Sequence, residues 1–261
     1  MPSLLIQFLI PFLIASMVVV GVTVIAEKFG TRMGGILGTI PSTIIVAFVF
    51  ISLNQGEEFA SRASAVVPAE MAINLIFLFS FSILSKGGAF KALGISLSIW
   101  LVLSSILLIV EIESVLVSVA IYSSTLVVLF VLMERILKTR SRGSVKVEYT
   151  TGKIVFRGLF AGVIIGTTVI LSNVGEVISG IFSVFPAIFL STMLITLKEH
   201  GSSFSGGIGK SMLLGSQTVV VYAVSVHFLY PEIGMFLGTL GAFGISLVMM
   251  GILLLLRERF S

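Results

Sequence analysis

The sequence predicts an all-α integral membrane protein of nine transmembrane helices, arranged 4+1+4 with inverted-topology repeats. Three observations predict it: composition, charge placement, and a pattern that returns in register 145 residues along the chain. Hydrophobic residues make up 57% of the chain and charged residues 11%, against roughly 25% charged in soluble domains. Mean hydropathy is +1.19. A crossing needs about 20 mostly apolar residues, and nine stretches qualify: 4–26, 33–54, 67–85, 91–110, 115–134, 156–174, 178–197, 208–229 and 233–256. In lipid each backbone amide must be satisfied within its own segment, so these stretches are read as helices. They are too long for barrel strands and lack a two-residue alternation.

The first stretch lacks a basic start, has a long apolar run and contains Pro11, so it reads as a retained span rather than a cleaved leader. The stretch 115–134 connects the two halves. The segment 135–157 that follows it is basic, rich in Ser, Gly and Thr, and without apolar period, which marks a linker. Under the nine-span reading, 15 of the 16 Lys and Arg residues fall on one side and Arg62 alone on the other. Basic loops stay in the cytoplasm, which places the N-terminus outside and the C-terminus in the cytoplasm of a multi-pass protein of the cell (inner) membrane. The net charge of +4 is then a topology signal, and no nucleic-acid partner is expected.

The repeat lays residues 18–59 over 163–204 without a gap and gives 11 identities in 42 positions. Among them are Gly21/Gly166, Gly30/Gly175, Gly35/Gly180, Pro41/Pro186 and Gly56/Gly201. Shared Gly and Pro positions weigh more than shared apolar ones, because they fix backbone behaviour. The partners fall in the first and sixth stretches, an odd offset of five, so the second unit is inverted relative to the first, as in many secondary transporters. The organisation expected is unit one over residues 1–112, a connecting span and basic loop over 113–152, and unit two over 153–261.

Within the repeat, the second and seventh stretches each carry a proline in mid-span. A helix-interior proline removes a hydrogen bond and frees carbonyls, which lipid tolerates only where they are buried in protein or line a cavity. Around the two interruptions stand Thr39, Pro41, Ser42 and Thr43 in one unit, and Ser183, Pro186, Ser191 and Thr192 in the other. Hydroxyls of this kind can hold a solute or bond back to their own helix, the more frequent use. The matching third spans offer Glu70 and Asn74, and Ser216 and Gln217. Buried amides usually join helices, whereas an ionisable group inside a span is a functional hypothesis by default. Glu70 falls about one turn inside the outer end of 67–85, where it is expected to be partly wet. Glu57, Glu58, Glu111 and Glu113 read as a solvated outer face.

Several chemistries have no residues to carry them. The chain has no cysteine and no aspartate, so neither a thiolate nor an aspartate-based metal or proton site is available. His200 and His227 fall on opposite sides. Walker, GxSxG and HExxH strings are missing, and neither a catalytic residue nor a cofactor is expected.

The pattern Gly35, Pro41, Gly56, repeated as Gly180, Pro186, Gly201, resembles that of the GlpM-like small membrane proteins, which are single units of four expected spans. The resemblance covers residues 20–85 best and 165–225 more loosely. It implies two such units fused through an extra span, and implies no mechanism.

Two functions remain. One is a transporter or permeation pathway for a small solute or monovalent cation, with its site where 33–54 and 178–197 face each other. The shortage of bases in mid-membrane argues against a multivalent anion. The other is a non-transporting scaffold or partner subunit packed through Gly-rich helices. Lipid, the solute and further copies of the chain in a homo-oligomer are the expected partners.

Overall fold

A computed structural model describes residues 3–28, 40–137 and 150–260, and all of the regular structure in them is helical. In chain order the helices are α1 (Leu4–Lys28), α2 (Ser42–Gln55), α3 (Glu57–Ala65), α4 (Val67–Leu84), α5 (Ala89–Val110) and α6 (Val115–Leu137). After the basic segment come α7 (Thr151–Leu171), α8 (Glu176–Ser183), α9 (Ala187–Gly215) and α10 (Gln217–Phe260). Six segments of the described residues are long and apolar enough to cross a bilayer, one of them being the stretch Glu176–Leu255 that holds several successive helices. The protein is therefore a helical membrane protein. Thr39, together with Gly34, Gly35 and Gly38, lies outside the described residues.

Large apolar side chains on α1, α5 and α6, such as Leu13, Leu101, Ile109, Leu116 and Val127, point outward, as hydrocarbon rather than water demands. The core gathers around α4, whose Leu75, Phe77, Leu78 and Phe81 are fully buried. Helices α5, α6 and α9 pack against it.

The most intimate helix pair is α1 with α7. Gly158, Gly162 and Gly166 form a stripe at four-residue spacing along α7. A Cβ on Gly162 would lie 2.6 Å from the carbonyl oxygen of Phe12, and one on Gly166 would lie 2.9 Å from that of Phe8. At Gly158 the nearest backbone oxygen is that of Ser16, at 2.9 Å. Followed backward along α7, the contacts advance along α1, so the two helices are antiparallel. Small residues let membrane helices approach to backbone contact and gain dispersion along the seam. At one end the seam is tied by side-chain amides. Gln7 donates to Asn54 at 2.7 Å, Asn173 donates back to Gln7 at 2.9 Å, and Asn54 donates to Ser172 at 2.9 Å.

Backbone geometry recurs at the repeat positions. Pro41 has φ −72°, ψ 43° and Pro186 has φ −73°, ψ 37°. Gly56 has φ 95°, ψ 166° and Gly201 has φ 81°, ψ 176°, a left-handed region that a side chain at either site would strain. A further pair, Gly88 at φ 105° and Gly234 at φ 76°, lies beyond the span of residues over which the sequences match.

Three expectations require correction. The segment between 54 and 67 is not an outer loop but the helix α3. Its Ala60, Ser61, Ala63, Ser64 and Ala65 are buried, small residues that score as polar yet pack tightly against α8 and α10. Glu57 is not merely solvated: its Oε1 accepts the Met235 N–H at 2.7 Å. It thereby caps the helical run that restarts after Gly234, where exposed N–H groups favour a carboxylate. The segment 198–207, expected to be a cytoplasmic loop, is helical within α9 apart from the bend at Gly201.

The seam leads to a stability prediction. Gly162→Ala is expected to lower the thermal unfolding midpoint in detergent, by an overpacking cost of about 1–3 kcal/mol. Gly152→Ala, whose Cβ would enter open space, is the control and is expected not to lower it.

Candidate functional site

The sequence reads both prolines as helix interruptions, and a helix boundary stands at each. Each proline stands at the N-cap of a new helix. Helix α8 ends at Ser183, residues 184–186 leave helical geometry, and α9 starts at Ala187. A proline forces its predecessor away from helical torsions and brings no N–H of its own, which explains the placement. At both prolines the next amide folds back over the ring. Ser42 N–H donates to the Ile40 carbonyl at 2.6 Å, and Ala187 N–H donates to that of Phe185 at 2.7 Å. The next turn begins from the prolines' own carbonyls, which accept from Ile45 at 3.1 Å and Leu190 at 2.8 Å.

Both breaks open onto one cavity of about 50 Å³, room for a few water molecules. Pro41 and Thr43 line it at the start of α2, and Ser183 and Pro186 line it at the junction of α8 and α9. Ala161 of α7 and Met71 of α4 also contribute to its wall. The lining is mainly apolar, with hydroxyls at Thr43 and Ser183. Four of the residues expected at the site are thus brought together.

Several of the expected side chains make local bonds within their own helices. Ser42 is buried but does not line the cavity. Ser183 Oγ donates to the Gly180 carbonyl at 2.6 Å, and Ser191 Oγ to that of Ile188 at 3.1 Å; both are local back-bonds. Gln217 does the same, with its Nε2 on the Leu214 carbonyl at 3.1 Å, and stays apart from the site.

Asn74 acts directly on a break. Its Nδ2 donates to the Val184 carbonyl at 2.7 Å, satisfying a backbone acceptor within the interruption between α8 and α9. Its own Oδ1 accepts from Trp100 Nε1 at 3.0 Å, which fixes the orientation of the amide. The Trp100 ring meets Phe185 edge-on, with centroids 4.9 Å apart. One turn earlier on α4, Glu70 accepts from Ser104 Oγ at 2.8 Å. Glu70 is fully buried and not partly wet as expected. The helical run preceding it starts at Glu57, well before the first strongly apolar residue, so Glu70 lies deeper than the sequence suggested.

Sequence reasoning missed Arg157. Counting bases as loop residues placed it in the basic linker, whereas it is 6% exposed and its Nη1 donates to Thr192 Oγ1 at 2.9 Å. Arg157 stands one helical turn from Ala161, and Thr192 one turn from Ile188, both of which line the cavity. Arg157 is thus a buried base within α7 rather than a linker residue, though it does not line the cavity. Trp100 and Ser104 were missed as well. Their signal is the i, i+4 spacing that matches Glu70 and Asn74 on the facing helix.

No family model matches the chain, and no curated protein or solved structure is significantly similar to it.

Removing the Asn74 amide is expected to expose its role. Asn74→Leu, which keeps the branched shape but leaves the Val184 carbonyl buried and unmet, is expected to cost about 1–3 kcal/mol, read as a lowered thermal midpoint. Gln217→Leu, which loses only a local bond, is expected to leave the midpoint within error of the parent.

Proposed function

We propose that the protein is a membrane transporter or permeation pathway for a small solute, built from two units of inverted topology with α6 as the connecting span. The observation that carries this reading is the single cavity reached by both proline-capped breaks. Broken helices that meet near the bilayer midplane are the usual location of substrate sites in inverted-repeat transporters, where one unit rocks against the other. The antiparallel α1–α7 seam and the paired torsions at Pro41/Pro186, Gly56/Gly201 and Gly88/Gly234 support the inversion. Four crossings in each unit and one between them bring the total to nine, with the N-terminus outside. The resemblance to GlpM-like units fits the same arrangement.

The surroundings of the cavity narrow the cargo. No charged side chain is among the described residues that line the cavity, which leaves a cation there without a counter-charge. The apolar lining gives little to a multivalent anion. A small uncharged solute able to hydrogen-bond Thr43 or Ser183 is the best match.

The chain has no native cysteine, so single cysteines test the reading without knowledge of the substrate. Thr43→Cys and Ile188→Cys both place a thiol on the cavity wall. In oriented vesicles, both are expected to react with a membrane-impermeant thiol reagent from at least one side. Protection of both, while Ser203→Cys in the bend region reacts, would contradict a pathway and favour a scaffold packed through its glycine-rich helices.

A further inference from the structure

Helices α4 and α5 are joined by two rungs one helical turn apart. Ser104 donates to Glu70 in one rung and Trp100 donates to Asn74 in the other. The Asn74 rung is fully used, since the same amide also holds the Val184 carbonyl. The Glu70 rung is not. Glu70 Oε2 is buried with no hydrogen-bond partner, although its residue is shut away from solvent.

The titratable groups on the surrounding helices do not meet this oxygen. Arg62 of α3 pairs with Glu176 of α8, and Lys210 of α9 pairs with Glu134 of α6. Glu57 caps the run after Gly234 and His227 of α10 bonds to Ser61. The Tyr122 hydroxyl of α6 shares a 2.6 Å bond with Ser216. No hydrogen bond or ion pair between a charged side chain and Glu70 is found among the described residues. An ionised carboxylate with one neutral donor in such surroundings is costly, whereas a carboxylic acid carries its own O–H and keeps one acceptor for Ser104. A dehydrated metal cation would need a cage of oxygens, and here Glu70 and the Ser104 hydroxyl stand nearly alone, because Asn74 Oδ1 is already taken by Trp100.

We propose that Glu70 is a proton-binding site whose occupancy controls the hold of the Trp100–Asn74 rung on the helix break at Val184. The reaction is the making and breaking of one carboxyl O–H bond, with the proton exchanged with water. When the proton leaves, the carboxylate needs donors, and the adjacent rung between the same two helices holds the Trp100 indole N–H. Drawing the indole N–H toward Glu70 loosens the amide that holds Val184, and Val184 lines the cavity. The proton site stands on its own geometry. Its coupling to the cavity rests on the transport reading and identifies protons as the coupling ion.

Trp100 is the sole tryptophan of the chain, so its emission reports on this rung directly. The full chain in lipid nanodiscs is titrated with pH while emission and thermal midpoint are followed. One reversible emission transition is expected in the parent. Glu70→Gln, which mimics the protonated form, is expected to abolish the transition and hold emission at its acid-limb value. Glu176→Gln is expected to retain it. Survival of the transition in Glu70→Gln, or a flat parent titration while the fold persists, would overturn the proposal. A shift that follows sodium at constant pH would overturn it in favour of a metal cation. Should Glu70→Gln not fold, infrared difference spectra of the parent decide. A buried carboxylic C=O band that vanishes on the alkaline limb supports the proposal, and lack of such a band refutes it. Because these measurements do not depend on thiol labelling at Thr43 and Ile188, failure of the proton site and failure of the pathway are told apart.

Discussion

A backbone that leaves helical geometry inside a membrane protein must have its polar groups met by something other than lipid, and much of this architecture follows from that constraint. Two prolines create the interruptions. The chain answers locally with the tight amide returns over Pro41 and Pro186, and at a distance with Asn74 on the Val184 carbonyl. Asn74 needs a fixed amide plane, which Trp100 provides, and Trp100 is held in turn by Phe185. The central position of α4, the most enclosed of the helices, is what allows one amide to reach another helix's interruption.

The glycine seam between α1 and α7 plays a complementary part. It brings the leading helices of the two halves to backbone contact in opposite directions, which sets the frame within which the breaks meet at one cavity. The amide ladder of Gln7, Asn54 and Asn173 closes one end of the seam. A pathway between the units would have to open around the seam rather than through it, because its glycines leave no space.

Membrane class, helical content and the sites of the chain breaks were legible in the sequence. Hydropathy reports the solvent, and Pro and Gly report backbone torsions whatever their neighbours are. What stayed hidden depends on which face a residue turns and how far it is buried. Helix α3 escaped because EEFASRASA is polar by composition, yet its small residues are what allow it to be buried. Glu70 was placed too shallow for the same reason, since the start of the helical run was read from the first apolar residue. Arg157 was assigned to a loop by its charge, although its long side chain is folded inward onto Thr192. Of the described hydroxyl residues around the breaks, only Thr43 and Ser183 line the cavity, a distinction that needs the rotation of each helix and not merely its span.

The central claim is that the two interruptions share a hydrated space inside the membrane. Hydrogen–deuterium exchange of the protein in lipid nanodiscs tests it most directly, by comparing peptides over 40–44 and 184–188 with one over 98–106 in the lipid-facing α5. Measurable exchange is expected at both interruptions, at similar rates, while the α5 peptide remains protected. Protection of both interruptions to the level of α5 would mean that the breaks are dry and sealed, and would contradict the claim.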